Sequence, residues 1–246
     1  MKPWGRQVIA SVLVNSIYEM ENYPVVLLNT VLSPLSFLLV IAFVSRGQLI
    51  GDAVEGGFIM SMFNSGMSLQ GDLAHLKNDF KLQDMVVSSP TSPAAYVTGM
   101  ALAEVIYSTP ALAVLTILAE AYVHPGTIQA LELVGVFLLM FLASVALGYT
   151  LSTFSSDIVQ SFAFSRLIST LFSTLPPVYY PITLIPIPFR YAAYLSPTTY
   201  AAEISQNTTG LLQLSTLEVA VAWGVLFVTT AILALVAVKK ARWREV

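Results

Sequence analysis

Residues 178–203 read VYYPITLIPIPFRYAAYLSPTTYAAE and decide how the rest of the chain is organised. The segment is as apolar as a membrane span, but Pro181, Pro186 and Pro188 each remove a backbone N–H donor and clash with the preceding helical turn. Broken backbone is tolerated at membrane depth only where protein or a water-filled cavity surrounds it. We therefore expect a re-entrant segment that dips into the membrane or caps its outer face; an ordinary external loop is the alternative.

The composition assigns the chain to the polytopic membrane proteins. Of its 246 residues, 56% are hydrophobic and 10% are charged, whereas a soluble domain has about 25% charged residues. The chain has no cysteine, so it forms no disulfide and no thiolate metal site. Residues 1–16 lack the uninterrupted apolar core of a signal peptide, and we expect them to remain in the mature protein.

Six apolar segments predict an all-α protein with six transmembrane helices in one membrane domain, because a span needs roughly 20 apolar residues. They are residues 25–44, 58–71, 94–121, 130–152, 157–175 and 217–238. The second segment is the weakest, and residues 51–57 before it are predicted as a flexible turn. Gly57, Ser61, Ser65 and Ser68 form a stripe of small residues that favours close helix packing, with a dimer or transport-pathway face as the alternative.

The N-terminal residues 1–24 are predicted to form an amphipathic helix that lies on the membrane surface. Apolar side chains recur on one helical face, while Gln7, Asn15 and Glu19 fall on another. Trp4 is of a residue type that concentrates at the membrane–water interface. The alternative is an ordinary surface helix whose apolar face packs on protein.

Residues 72–89 form the longest polar interval between two predicted spans. Leu73, Leu76 and Phe80 fall on one stripe of a helix, and charged side chains occupy its other faces. His75 has no second ligand at helical spacing, so the interval does not predict a metal site. We expect a cytosolic helix whose apolar edge seats in a groove of a partner; the alternative is packing on the N-terminal helix of the same chain.

The basic residues predict the orientation of the spans. Lys and Arg accumulate on the cytosolic side of a membrane, and with six spans both termini lie on one side. Eight of the 11 Lys and Arg residues fall on that side, namely Lys2, Arg6, Lys77, Lys81, Lys239, Lys240, Arg242 and Arg244. We therefore predict cytosolic termini and an outer position for residues 178–206.

Two charged residues lie deep within predicted spans. Glu104 and Arg166 are each about ten or eleven residues into a span, roughly 15–16 Å at 1.5 Å rise per residue. Charges at this depth are rare and usually paired. We predict an ion pair between them; separate hydrogen bonds to backbone or cavity water are the alternative.

Two segments resemble the ABC type-2 permeases, the membrane subunits of ATP-driven exporters of the drug-resistance and polysaccharide-export type. In residues 79–99, a Ser-Pro pair and then a glycine lead from the cytosolic segment into the next span. Residues 179–203 contain Tyr-Tyr-Pro, Leu-Ile-Pro and Tyr-Leu-Ser-Pro-Thr-Thr-Tyr before a glutamate. The chain departs from the family at residues 82–84, where an acidic–leucine pattern is more usual, and at Ser196, where asparagine is common, so the subfamily stays open.

The resemblance implies roles for two groups of residues. Those that would contact the ATPase, in a coupling helix at residues 72–89, are Leu73, Leu76, Lys77, Phe80, Lys81 and Asp84. Those that would form an outer gate are Tyr179, Tyr180, Pro181, Pro186, Pro188, Pro197, Tyr200 and Glu203.

The chain has no GxxxxGK[ST] phosphate-binding loop. It is therefore expected to bind no cofactor and to be no enzyme, with ATP and Mg²⁺ on a separate ATPase. The resemblance implies two ATPase copies and a second permease copy, as a homodimer or paralogous heterodimer, in a prokaryotic plasma membrane and without nucleic acid. Because the spans offer few polar groups to solvate a sugar chain, we expect export of an apolar or amphipathic, drug-like or lipid-like cargo. The alternatives are an ATP-independent channel or carrier and a non-transporting assembly factor.

Overall fold

The computed structural model describes residues 3–22, 24–78, 92–155, 157–174 and 176–240, and these ranges contain helices and no strand. A π-helical turn, Leu13–Ile17, joins the first two helices, and a 3₁₀ turn, Ile182–Leu184, precedes the eighth. In chain order the α-helices are α1 (Pro3–Val12), α2 (Tyr18–Asn22), α3 (Pro24–Val44), α4 (Ile50–Asn78), α5 (Pro93–Tyr122), α6 (Thr127–Phe154), α7 (Ile158–Thr174), α8 (Ile187–Ala193), α9 (Pro197–Thr208) and α10 (Thr216–Lys240).

Three of the described helices, α5, α6 and α10, are long and apolar enough to cross a membrane. They have 30, 28 and 25 residues, and at 1.5 Å per residue each exceeds the roughly 30 Å of a bilayer core. The all-α membrane class is thus confirmed. Helices α3, α4 and α7 occupy the other three predicted positions, and α3 contains the apolar stretch Thr30–Val44. The count of six spans stays a prediction.

Helix α4 is one continuous helix of 29 residues, so the prediction of a flexible turn over residues 51–57 is wrong. Its glycines serve close packing. A Cβ on Gly56 would overlap the carbonyl oxygen of Val178, and a Cβ on Gly57 would lie 2.8 Å from Leu115 Cδ2. Glycine therefore marks the points where two other parts of the chain approach α4. One is α5, and the other is the predicted outer segment, residues 178–206.

Helix α4 is central, because it packs against α3, α5, α6, α7 and α9. Its closest crossing is with α6, where Gly66 faces Ser144 and a Cβ on Gly148 would lie 2.8 Å from the carbonyl oxygen of Gly66. Lipid gives helices little hydrophobic reason to associate, so such small residues hold them by close van der Waals contact. This crossing sets the position of α4 relative to α6.

The N-terminal helix packs along the beginning of α5. Ser11 Oγ donates a hydrogen bond of 3.2 Å to the carbonyl oxygen of Tyr96, and the N–H of Ser92 donates one of 3.3 Å to Gln7 Oε1. Ile9, on the apolar face, is exposed. The polar face of α1 therefore contacts protein, and so does Val8 of its apolar face, whereas Ile9 is left exposed. The position of the helix at the membrane surface stays a prediction.

The outer segment is broken at its prolines. Pro188 is the second residue of α8 and Pro197 the first of α9, positions whose N–H has no intrahelical partner in any case. Ser196 caps α9 by accepting a 3.3 Å hydrogen bond from the N–H of Thr198. The prolines therefore begin short helices here; insertion of the segment into the membrane stays a prediction.

Candidate functional site

A cavity of about 740 Å³ lies between α3, α4, α5 and α7. Its volume falls within the roughly 300–1,000 Å³ of ligand pockets. Ten of its lining residues are serine, threonine or asparagine: Thr30, Ser33, Ser61, Asn64, Ser65, Ser68, Ser108, Ser169, Thr170 and Ser173. The expectation that the spans offer few polar groups is wrong for this cavity. The sequence carries no signal of it, because the polar residues are scattered singly over four helices and form one wall only when these helices pack together.

The small-residue stripe of α4 forms one wall of the cavity. The hydroxyls of Ser65 and Ser108 hydrogen-bond across the interface of α4 and α5, and Ser65 Oγ lies 2.7 Å from the carbonyl oxygen of Ser61. Ser61 Oγ is buried and has no hydrogen-bond partner among the described residues. The stripe thus packs against other helices of the chain and also lines the cavity. A role as a dimer or transport-pathway face stays a prediction.

The structure brings Glu104 and Arg166 to the same cavity. Glu104 is partly buried on α5, and Arg166 is exposed on α7. Asp72, at the start of the predicted polar interval, also lines this cavity. Glu104 and Arg166 thus line the same cavity. Their equal depth in the membrane and the ion pair between them stay predictions.

The outer segment forms part of the cavity wall through Tyr179. This side chain is buried, and its ring stacks on that of Phe37 with centroids 5.2 Å apart and an interplanar angle of 12°. Both rings line the cavity. Movement of the outer segment would therefore change the shape of the cavity.

Two other residues of the predicted outer gate, Tyr180 and Tyr200, pack against the hydrophobic cluster that contains Tyr179. Tyr194 donates a 2.8 Å hydrogen bond to Glu203 Oε1, and Tyr200 donates one of 3.0 Å to the carbonyl oxygen of Tyr194. Tyr180, Pro181 and Pro197 are half-buried, and Pro186 and Pro188 are exposed. The gate role of these eight residues stays a prediction.

Burial is the main cause of the unusual titration of Glu203. It raises the pKa of this carboxyl above its ordinary value, and the hydrogen bond from Tyr194 offsets only part of the effect. Burial also raises the pKa of Tyr194, as do the hydrogen bond to Glu203 and its charge. The hydrogen bond thus joins Glu203, which is 6% exposed, to Tyr194, which is 38% exposed.

The residues predicted to contact the ATPase are only partly described. Leu73 is buried in a cluster with Leu69, Tyr96 and Met100, within the permease itself. Leu76 and Lys77 belong to the last residues of α4. The remaining three, Phe80, Lys81 and Asp84, lie outside the described residues, and the contact with an ATPase stays a prediction.

Sequence reasoning missed a buried acidic pair near the start of α4. Asp52 and Glu55 are only 4% and 2% exposed. The hydroxyl of Thr209 donates to Glu55 Oε1, but Glu55 Oε2 and Asp52 Oδ1 have no hydrogen-bond partner among the described residues. Two acids three residues apart on one helical face, next to apolar sequence, were the available signal.

The model of the ABC-2 type transporter family matches residues 7–209. This chain belongs to the ABC-2 type transporter family. The match contains both segments in which the sequence resembles that family, so this expectation is confirmed. No curated protein matches the chain in a sequence comparison. As an ABC-2 permease, the chain is a membrane transport component and not itself a catalytic subunit, and its family works in general with an ABC ATPase.

Proposed function

We propose that this ABC-2 permease is the membrane-spanning subunit of an exporter that moves an amphipathic cargo out of the cytosol. The cavity between α3, α4, α5 and α7 carries this proposal. Its wall combines hydroxyl-bearing side chains with apolar groups such as Phe37 and Met60, and pockets of this size commonly combine apolar walls with a few placed polar groups. Such a wall suits a molecule with a polar and an apolar part, which is drug-like or lipid-like in character.

The energy for export would come from a separate ATPase subunit. The chain has no loop that could cradle ATP phosphates, and the ABC-2 family supports a partner of this kind. We infer two ATPase copies and a second permease copy in a prokaryotic plasma membrane, with both permease termini in the cytosol. The coupling contact would lie in residues 72–89, with Phe80 as its anchor, because aromatic residues are enriched among interface hot spots.

The polar lining of the cavity also favours a second candidate, an ATP-independent carrier or channel. Hydroxyl side chains stabilise water or a polar solute inside a membrane whether or not ATP is used. The two candidates differ in energetics. Purified permease in proteoliposomes should not move cargo alone if it is an ATP-driven exporter, and should do so if it is a carrier.

The coupling contact can be tested with Phe80→Asp, using Phe80→Leu as the matched control that keeps an apolar side chain. Each permease variant is co-expressed with the ABC ATPase that assembles with the wild-type permease. We expect Phe80→Asp to insert and fold, but to lose co-purification with the ATPase and stimulation of ATP hydrolysis, whereas Phe80→Leu keeps both. Loss of thermal stability in Phe80→Asp alone would indicate internal packing. Normal assembly, hydrolysis and export in Phe80→Asp would remove this residue from the mechanism.

A further inference from the structure

We propose that the part of the outer segment around α8 binds an anionic phospholipid of the surrounding membrane, with Arg190 as the residue that holds the lipid phosphate. Two features carry the inference: a fixed guanidinium without an acidic partner, and a surface of exposed apolar side chains around it. The proposed site is separate from the cavity, which Arg190 does not line. It depends neither on the cargo nor on ATP.

The side chain of Arg190 folds back onto the turn that precedes α8. Its Nε donates a hydrogen bond of 2.7 Å to the carbonyl oxygen of Ile185, and its Nη2 donates one of 2.6 Å to that of Thr183. A guanidinium has further N–H groups, and Nη1 makes no hydrogen bond to the described residues. The two carbonyls thus hold the guanidinium in place, which reduces the side-chain entropy that is lost when an anion binds.

The charge of Arg190 is not neutralised by the described part of the protein. Arg190 makes no ion pair with an acidic residue there. Glu203 is the one acidic residue in the sequence of the outer segment, and it is buried and accepts its hydrogen bond from Tyr194. An arginine near a membrane is stable when its charge is paired, and a guanidinium matches the geometry of a phosphate group. A headgroup with a net negative charge therefore complements this position.

Large apolar side chains surround this charge. They take no part in the hydrophobic clusters that the buried residues form, whereas Ile182 and Ala193 of the same stretch are buried and fix it to the protein. An exposed apolar surface of this kind marks a contact with a membrane or another protein. Its members are between 61% and 86% exposed: Leu184, Ile187, Phe189, Tyr191 and Leu195.

The order of these residues favours a lipid as the occupant. Arg190 stands directly between Phe189 and Tyr191, and tyrosine concentrates at membrane–water interfaces, where its ring contacts acyl chains and its hydroxyl contacts headgroups. A phospholipid offers a phosphate and apolar chains in one molecule, so it pairs the guanidinium and covers the apolar side chains together. A free phosphate ion would pair the charge and leave the apolar surface in water.

Lipid contact can be measured from Leu195, because the chain has no cysteine and this side chain is 86% exposed. Leu195→Cys is labelled with bimane, and the permease is reconstituted without ATPase in bilayers of phosphatidylcholine and phosphatidylglycerol. A nitroxide on the acyl chain of either lipid quenches bimane on contact, so the two quenching curves give the relative affinity of the two lipids at this position. We expect quenching by both lipids and an about fivefold preference for phosphatidylglycerol.

Two results of this measurement would overturn the proposal. Absence of quenching by both lipids would show that protein, such as a second permease copy, covers the surface. Equal affinity for the two lipids would show that no anionic headgroup is selected. Excess inorganic phosphate should leave the preference unchanged, and loss of the preference in its presence would assign a site for free anions instead of lipid.

Arg190→Gln in the labelled protein should reduce the preference for phosphatidylglycerol to about equal affinity, while quenching by phosphatidylcholine persists. Arg46→Gln is the matched control, because Arg46 is an exposed cation in the turn before α4 whose side chain makes no hydrogen bond to the described residues. It should keep the preference. An unchanged preference in Arg190→Gln would remove this residue from the site.

Arg190→Lys separates the charge from the support that the side chain gives to the turn. Lysine and glutamine both lose the fixed guanidinium geometry, but only lysine keeps the charge. We expect the preference for phosphatidylglycerol to be at least about twofold greater in Arg190→Lys than in Arg190→Gln. Equal preferences in these two variants would show that Arg190 acts only on the fold of the turn, and would overturn the proposal.

Discussion

The hydroxyl of Thr209 donates a hydrogen bond to Glu55 Oε1 and thereby joins the C-terminal end of α9 to the start of α4. Glu55 is 2% exposed, and its other carboxyl oxygen has no partner among the described residues. Among the described residues, Thr209 is therefore the hydrogen-bond donor to this buried carboxyl group. It links the outer segment to the helix that lines the cavity.

Thr209→Val should destabilise the protein by about 1–3 kcal/mol, because it leaves a buried acceptor unsatisfied. The neighbouring Thr208 provides the control, since its hydroxyl makes an exposed 3.2 Å hydrogen bond to Glu132 Oε2. Thr208→Val should stay within about 0.5 kcal/mol of the wild type. Equilibrium unfolding in detergent measures both changes, and equal effects would contradict the anchoring role of Thr209.

Glu203 should make stability depend on pH. Burial raises its folded-state pKa above the ordinary value of 4.5, so the folded state binds this proton more tightly than the unfolded state. Its contribution to stability is complete below pH 4.5 and is lost as pH rises through the folded-state pKa. Glu203→Gln should flatten this part of the unfolding temperature–pH curve, whereas Glu132→Gln, at an exposed position, should not. An unchanged slope in Glu203→Gln would refute the prediction.

The proposed ion pair between Glu104 and Arg166 can be tested by a double-mutant cycle. The two residues line one cavity from different helices. If they are paired, the stability effects of Glu104→Gln and Arg166→Gln should differ from additivity by about 0.5 kcal/mol or more. Unfolding of the two single variants and the double variant gives this coupling energy. Simple additivity would favour separate hydrogen bonds.

The orientation can be tested with single cysteines in this cysteine-free chain. Gly126 is exposed in the turn before α6, and Asn78 is the last residue of α4. With cytosolic termini, Gly126→Cys should react with an impermeant thiol reagent added outside intact cells, and Asn78→Cys should react only after permeabilisation. The reverse pattern would show that the termini lie outside the cell. Residues 72–89 would then lie on the side of the membrane opposite to a cytosolic ATPase.

The gate role of the outer segment predicts that fixing two permease copies together there blocks export. Leu184 is a suitable site because it is 61% exposed, whereas the nearby Ile182 is 5% exposed and packs inside the protein. Disulfide cross-linking of Leu184→Cys across the dimer should stop cargo export and leave ATP binding to the ATPase intact. Reduction of the same sample should restore export. Full export after complete cross-linking would argue against a gate.

The sequence alone determined the elements that depend on local properties. The predicted spans at residues 94–121 and 130–152 correspond to α5 and α6 within a few residues, because long apolar runs favour helices in a membrane. The proline spacing likewise predicted a broken outer segment, since proline acts on its own backbone and the turn before it. The family resemblance depended on the same short-range patterns.

Only the tertiary structure decided which side chains meet. Gly56 reads as a turn residue in sequence, yet it lies inside α4 because a neighbouring backbone approaches it. Glu55 and Thr209 are far apart in the chain, and serines from separate helices become a polar wall only when those helices are assembled. The physical reason is that helix periodicity fixes which residues share a face, whereas the rotation and depth of each helix depend on contacts such as Gly66 with Gly148.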